Sequence, residues 1–176
     1  VDKDTPDPGP LETFARDEDG NPTGWVREMA WMKFADNMFG ALDWAPPETI
    51  TPDTIKEFFN FMEDSGITAM ADGFIENDDQ IRSIYELDKA GRLNAYYDGM
   101  VRFWSYEDLP EKIAKLREYQ KLYTTDHIKV NTMKLFLDGT NESGNSASLH
   151  EHIHDPGNFG EIMMETEELA QCMELC

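Results

Sequence analysis

At 176 residues, 40% of them apolar and with ten Phe and four Trp, the chain is large and greasy enough for a sizeable core and is not a disordered segment. Its 36 acids against 15 bases leave a net charge of −21, which excludes nucleic acid and anionic membrane surfaces as partners, since both require clustered Lys and Arg. No apolar run reaches the roughly 20 residues that span a bilayer and no secretory leader opens the chain, so a cytoplasmic protein is expected.

Residues 1–10 are rich in Pro and Asp and read as a loop. Leu11–Arg16 and Thr23–Glu28 are short extended runs around Asp19-Gly20, a pattern that predicts a β-hairpin. A calcium loop is excluded there: with Gly20 in its sixth position, Ala15 and Val26 would have to be ligands. Residues 28–44, rich in Met and Trp, predict a helix or an irregular packed segment ended by Pro46-Pro47. Thr51-Pro52-Asp53 then opens a helix to about Ser65, with Thr51 as its cap and Gly66 as its stop. Ile67–Ala71 is a short strand, and a second helix over about 78–90 closes at Gly91. The next strand starts at Leu93–Tyr97 and continues toward Val101–Trp104. A third helix over about 107–123 and a third strand, Ile128–Leu137, follow. A loop from Asp138 to Met164 leads to a last helix, for which Thr166 is the expected cap.

Helix and strand thus alternate three times with short connections, the mark of parallel strands joined by right-handed crossovers. The expected architecture is α/β: a partial TIM (β/α) barrel fragment with three parallel strands, flanking helices and an N-terminal β-hairpin. Residues 1–50 form the hairpin and insertion region, and 51–176 the consecutive α/β units. A closed barrel needs eight units and about 250 residues, and the sequence stops inside a periodic helix with no Gly, Pro or basic last turn. Both points predict a fragment with an open barrel edge through which copies self-associate. Cys172 and Cys176 lie four apart on one helix face, poorly directed for a disulfide, and a reducing setting is expected. There the sequon at Asn141 has no meaning.

Strands covered on both faces of a parallel sheet are nearly all apolar, so polar residues on them stand out. Asp72 and Asp138 end their strands and are substrate-side candidates, or turn residues leaving a strand. Lys134 shares one strand face with Phe136 and Asp138, while Met133, Leu135 and Leu137 take the other. On a central strand such a lysine is desolvated, and it persists there if paired, chemically active or modified to bind metal; on an edge strand it is simply solvated. His150, His152 and His154 are spaced to line one side of an extended segment and chelate a metal, or sit in a surface loop. His127 reads as structural. No phosphate loop, nucleophile elbow or Cys-x-x-Cys motif is present.

Asp4-Thr-Pro-Asp-Pro8, Arg16-Asp-Glu-Asp-Gly-Asn-Pro-Thr-Gly24 with Glu28, Gly66-Ile-Thr-Ala-Met-Ala-Asp-Gly73 and Lys134-Leu-Phe-Leu-Asp-Gly-Thr140 follow one another in the chain. Their order resembles that of the YtcJ-like amidohydrolases (amidohydrolase family 3), some of which carry the label exoenzyme regulatory protein. The resemblance implies a metal-dependent hydrolase on a TIM barrel, cleaving amides, formamides or similar C–N bonds of a small-molecule substrate with metal-activated water. It also implies that Lys134 is carboxylated and bridges divalent metals, with zinc expected in the complete enzyme. The family's other metal ligands and its general base have no counterpart here, so the chain alone is expected to bind no metal centre and to be inactive. The run His150–His154 departs from the family pattern. Two competing functions are a non-catalytic acidic regulatory or binding module, and metal buffering by the His-rich loop.

Overall fold

The computed structural model describes residues 1–9, 12–44 and 50–176; Pro46-Pro47, expected to end the first helix, lie outside them. The residues group into two compact units, Val1–Pro47 with Leu137–Met163, and Glu48–Phe136 with Met164–Cys176.

In the first unit, strands β1 (Phe14–Arg16) and β2 (Pro22–Val26) pair antiparallel as the expected hairpin. Asp17 builds its turn: the carboxylate accepts the amides of Asp19 at 3.0 Å and Asn21 at 2.8 Å. Gly20 supplies the left-handed residue at φ 83°. A 3-10 turn, Glu28–Trp31, then feeds helix α1 (Met32–Ala41). The segment after Leu137 forms turns, with an isolated bridge between His152 and Asp155.

The second unit holds helix α2 (Pro52–Asp64), strand β3 (Ala69–Asp72), helix α3 (Asp78–Lys89), strand β4 (Tyr96–Phe103), helix α4 (Leu109–Tyr123), strand β5 (Ile128–Leu135) and helix α5 (Thr166–Leu175). Local chemistry sets most of these bounds. Thr51 and Thr54 exchange reciprocal cap hydrogen bonds at the start of α2, and Asn77 accepts from the Gln80 amide at the start of α3. Gly66 and Gly91, at φ 75° and 66°, end these two helices. One expected cap is corrected. Glu165 is the N-cap of α5 without a side-chain bond, and Thr166 is already helical.

The three strands pair in parallel in the order β3-β4-β5. Phe59 of α2, Ile81, Ile84 and Leu87 of α3, and Tyr119 of α4 bury one face of the sheet against Tyr97, Val101, Ile128 and Val130. Fully burying each aliphatic side chain there contributes about 1.5–3 kcal/mol. Among the described residues β5 is an outer strand, because only β4 pairs with it. The expectation of a central strand around Lys134 is corrected accordingly.

Candidate functional site

Strand β4 alternates cleanly. Tyr97, Gly99, Val101 and Phe103 are buried, while Tyr96, Asp98, Met100 and Arg102 occupy the opposite, open face. Strand β5 does not keep this parity. Its pairing steps from Asp98↔Lys129 to Met100↔Thr132, so β5 spends one residue more than β4 over that stretch. This is a β-bulge next to Asn131. Before it, Ile128 and Val130 face the helices; beyond it, Met133 packs against the same core. Lys134, paired with Arg102, therefore sits on the open face. Unbroken alternation from Ile128 would have driven it into the core.

At the C-terminal strand ends these two cations meet three aromatic rings. The Arg102 guanidinium carbon lies 4.2 Å from the Phe74 ring centre and 4.9 Å from that of Trp104. Trp104 stacks on Phe136 with centres 5.2 Å apart, and Phe74 meets Phe136 edge-on at 5.9 Å. Lys134 Nζ lies 4.8 Å from the Phe136 ring centre. Phe74 follows β3, Trp104 follows β4 and Phe136 follows β5, one ring from each strand end. Lys134 is half-buried on an outer strand. Full desolvation does not single it out; its place beside Arg102 and Phe136 does.

The carboxylates singled out by sequence are engaged elsewhere. Asp72 points to the helix side, where its Oδ2 accepts from Tyr97 OH and Gln80 Nε2, both at 2.6 Å. Burial, together with that bond to Asp72, pushes the Tyr97 phenol well above its ordinary value. Asp138 accepts the Ala147 amide at 2.9 Å, closing its loop.

The histidines do not converge. Asp155 N donates to the His152 carbonyl, so a turn breaks the extended run, and His150 and His154 are exposed. His152 Nε2 lies 3.0 Å from the Ser146 carbonyl oxygen. His127 Nδ1 lies 2.7 Å from Asp88. Cys172 and Cys176 are free thiols, and burial raises that of Cys172. Among the described residues no three His, Cys, Asp or Glu side chains are placed to hold a metal ion.

Two features escaped the sequence reading. Arg102 was legible as one of two charges, with Asp98, on the open face of β4, and an aromatic follows each of the three strands. Glu28, noted only as part of a motif, gathers four donors on its Oε1: the Thr140 amide and hydroxyl, Ser143 Oγ and Asn145 Nδ2.

Comparison with known proteins gives this arrangement a family. The exoenzymes regulatory protein AepA of Pectobacterium carotovorum subsp. carotovorum is 31% identical over 149 residues, covering 84% of this chain and 31% of that protein. The crystal structure of an uncharacterized metal-dependent hydrolase from Pyrococcus horikoshii OT3 matches with a TM-score of 0.55 at 19% identity, over 93% of this chain and 32% of that one. That is a likeness of fold. The chain spans about a third of the length of these relatives. The family model described as "Amidohydrolase family" matches residues 1–176, from end to end. The chain belongs to the amidohydrolase family.

Proposed function

We propose that the chain is one part of a cytoplasmic, metal-dependent amidohydrolase that cleaves non-peptide C–N bonds of amide or formamide type, and that alone it is inactive. The observation that carries this reading is Lys134 on the open face of a parallel sheet, at the C-terminal strand end, in a chain matched along its length by the family. Ligands of parallel α/β folds meet that end of the sheet. On this reading β3, β4 and β5 are consecutive strands of a TIM barrel. Lys134 Nζ, once neutral, adds to CO2 and loses one proton, giving an anionic carbamate with two oxygen donors. A divalent metal, with zinc proposed, supplies Lewis acidity and an activated water when bound. The Phe136 ring lies against the lysine end, its centre 4.8 Å from Nζ.

The test is Lys134→Ala in the complete enzyme of which the chain is proposed to be a part, assayed for metal content and for hydrolysis of N-formyl and N-acyl amines. Activity is expected to fall at least about 100-fold and to recover partly with added propionate, which replaces the carbamate oxygens. Full metal loading and full activity in the variant would remove the reading's support. A second reading, a non-catalytic acidic regulatory module, is favoured by the name of AepA and by the net charge of −21. A metal-replete protein that hydrolyses no amide supports it instead.

A further inference from the structure

We infer that the stripe Trp31–Ala35–Met38–Leu42 along α1 is a docking surface for a basic amphipathic helix of a partner protein. It uses none of the residues at the strand ends and stands apart from the hydrolase reading.

The first ground is spacing. Trp31, Ala35, Met38 and Leu42 follow one another at steps of four, three and four residues. On a helix these steps give one stripe, the seam along which a second helix packs. Trp31, the last residue of the 3-10 turn, already has right-handed helical dihedrals, so the stripe runs unbroken into α1, and Leu42 closes it. Ala35 is buried, while Trp31, Met38 and Leu42 are 46%, 49% and 66% exposed. A small residue between large ones along a seam leaves a notch for an apolar side chain of the facing helix.

The second ground is residue type. Met29 and Met32, next to Trp31 in the chain, are exposed as well. Trp and Met are enriched where proteins meet: the indole brings a large rigid surface, and the thioether adapts to the shape opposite.

The third ground selects the charge of the partner. In the residues of this unit acids outnumber bases by 15 to 4, and exposed Asp43 directly follows the stripe. Such a field repels an acidic peptide, an anionic lipid surface and a second copy of the unit. A helix that carries Lys and Arg beside an apolar stripe is attracted by the charge and seated by the seam.

The experiment titrates a fluorescein-labelled Leu/Lys peptide of about 18 residues, designed as an amphipathic helix, with the complete protein of which the chain is proposed to be a part. Fluorescence anisotropy is expected to show saturable one-to-one binding. Met38→Asp or Leu42→Asp is expected to weaken it at least about tenfold, and Met38→Leu to leave it within about twofold. Leu42→Ser, at the most exposed position of the stripe, serves if an aspartate variant does not fold, with a loss of about fivefold expected. A shuffled peptide of the same composition, and one with Glu for Lys, are each expected to bind at least about tenfold more weakly. Absence of binding overturns the inference and means that the complete protein covers the stripe itself. Equal binding of the shuffled peptide also overturns it, because net charge alone would then act, and so does binding indifferent to Met38 and Leu42. A dimer that Leu42→Asp splits, with no peptide bound, makes a second copy the occupant and overturns it too. Hydrolysis by the same preparation is read separately, so none of these outcomes bears on the amidohydrolase reading.

Discussion

Glu28 carries two costs at one residue. Its backbone is left-handed at φ 51°, and its carboxylate is partly buried; the backbone alone costs about 1–3 kcal/mol. Burial would raise the carboxyl, but hydrogen bonds from Ser143, Thr140 and Asn145 outweigh it and hold the group below its ordinary value. The charge thus tethers the loop after Asp138. Glu28→Gln keeps the shape and removes the charge, so it should cost about 1–3 kcal/mol and open that loop to limited proteolysis. Because the folded carboxyl is depressed, its contribution is complete above the ordinary glutamate range and is lost as pH falls through the lower folded value. The protection factor of the Thr140 amide should fall over that acidic window in the wild type; a protection factor indifferent to pH would refute the tether. Asp72 is likewise a structural carboxylate. With two donors on one oxygen, Tyr97 OH and Gln80 Nε2, Asp72→Asn should cost about 1–3 kcal/mol of stability and leave kcat within about twofold. A large fall in kcat at unchanged melting temperature would place Asp72 at the substrate.

Among the elements, the bulge in β5 decides what Lys134 can do. Deleting Asn131 removes the extra residue and should leave Met133 on the core face and Lys134 beside Arg102 on the open face, whereas one residue inserted between Thr132 and Met133 should turn Lys134 toward the core. Burying an unpaired ammonium costs several kcal/mol, so the insertion should abolish cooperative unfolding, read by circular dichroism during a melt, and the deletion should not. An insertion variant that melts like the wild type would show that the register carries no weight. This element also marks where sequence reading stops. Thr51, Gly66, Asn77 and Gly91 act within four residues of themselves, so the helix bounds they set were readable in the string. The bulge is a relation between β4 and β5, and nothing in Ile128–Leu135 alone announces it. The same holds for the outer position of β5, which depends on strand order. Lys134 was picked out by its residue type, yet its surroundings differ from the dry core expected, because Phe136 and Arg102 reach it from residues whose roles alternation alone did not distinguish. The turn of Asp72 toward Tyr97 and Gln80, rather than toward substrate, is likewise a matter of face, and a four-residue strand is too short to fix its face by pattern.

For the whole chain, charge and apolar surface act against each other. Tyr96 is 60% exposed on the open face of the sheet and Phe61 68% on α2, while β3 and β5 each pair only with β4 among the described residues. Unpaired strand edges and exposed rings favour pairing between copies. A net charge of −21 opposes it, but only over the distance that salt allows, about 10 Å at 0.1 M and about 3 Å at 1 M. The chain should therefore stay small at low ionic strength and associate as salt rises, the reverse of an assembly held by ion pairs. Light scattering of the 176-residue chain from about 0.02 to 1 M NaCl separates the two cases, since screening removes repulsion while leaving apolar attraction intact. Replacing Tyr96 by Lys on the open face should delay the onset, because it removes apolar area where two sheets would meet. A constant monomeric mass at every salt concentration would mean that the edges of β3 and β5 are already protected within one copy.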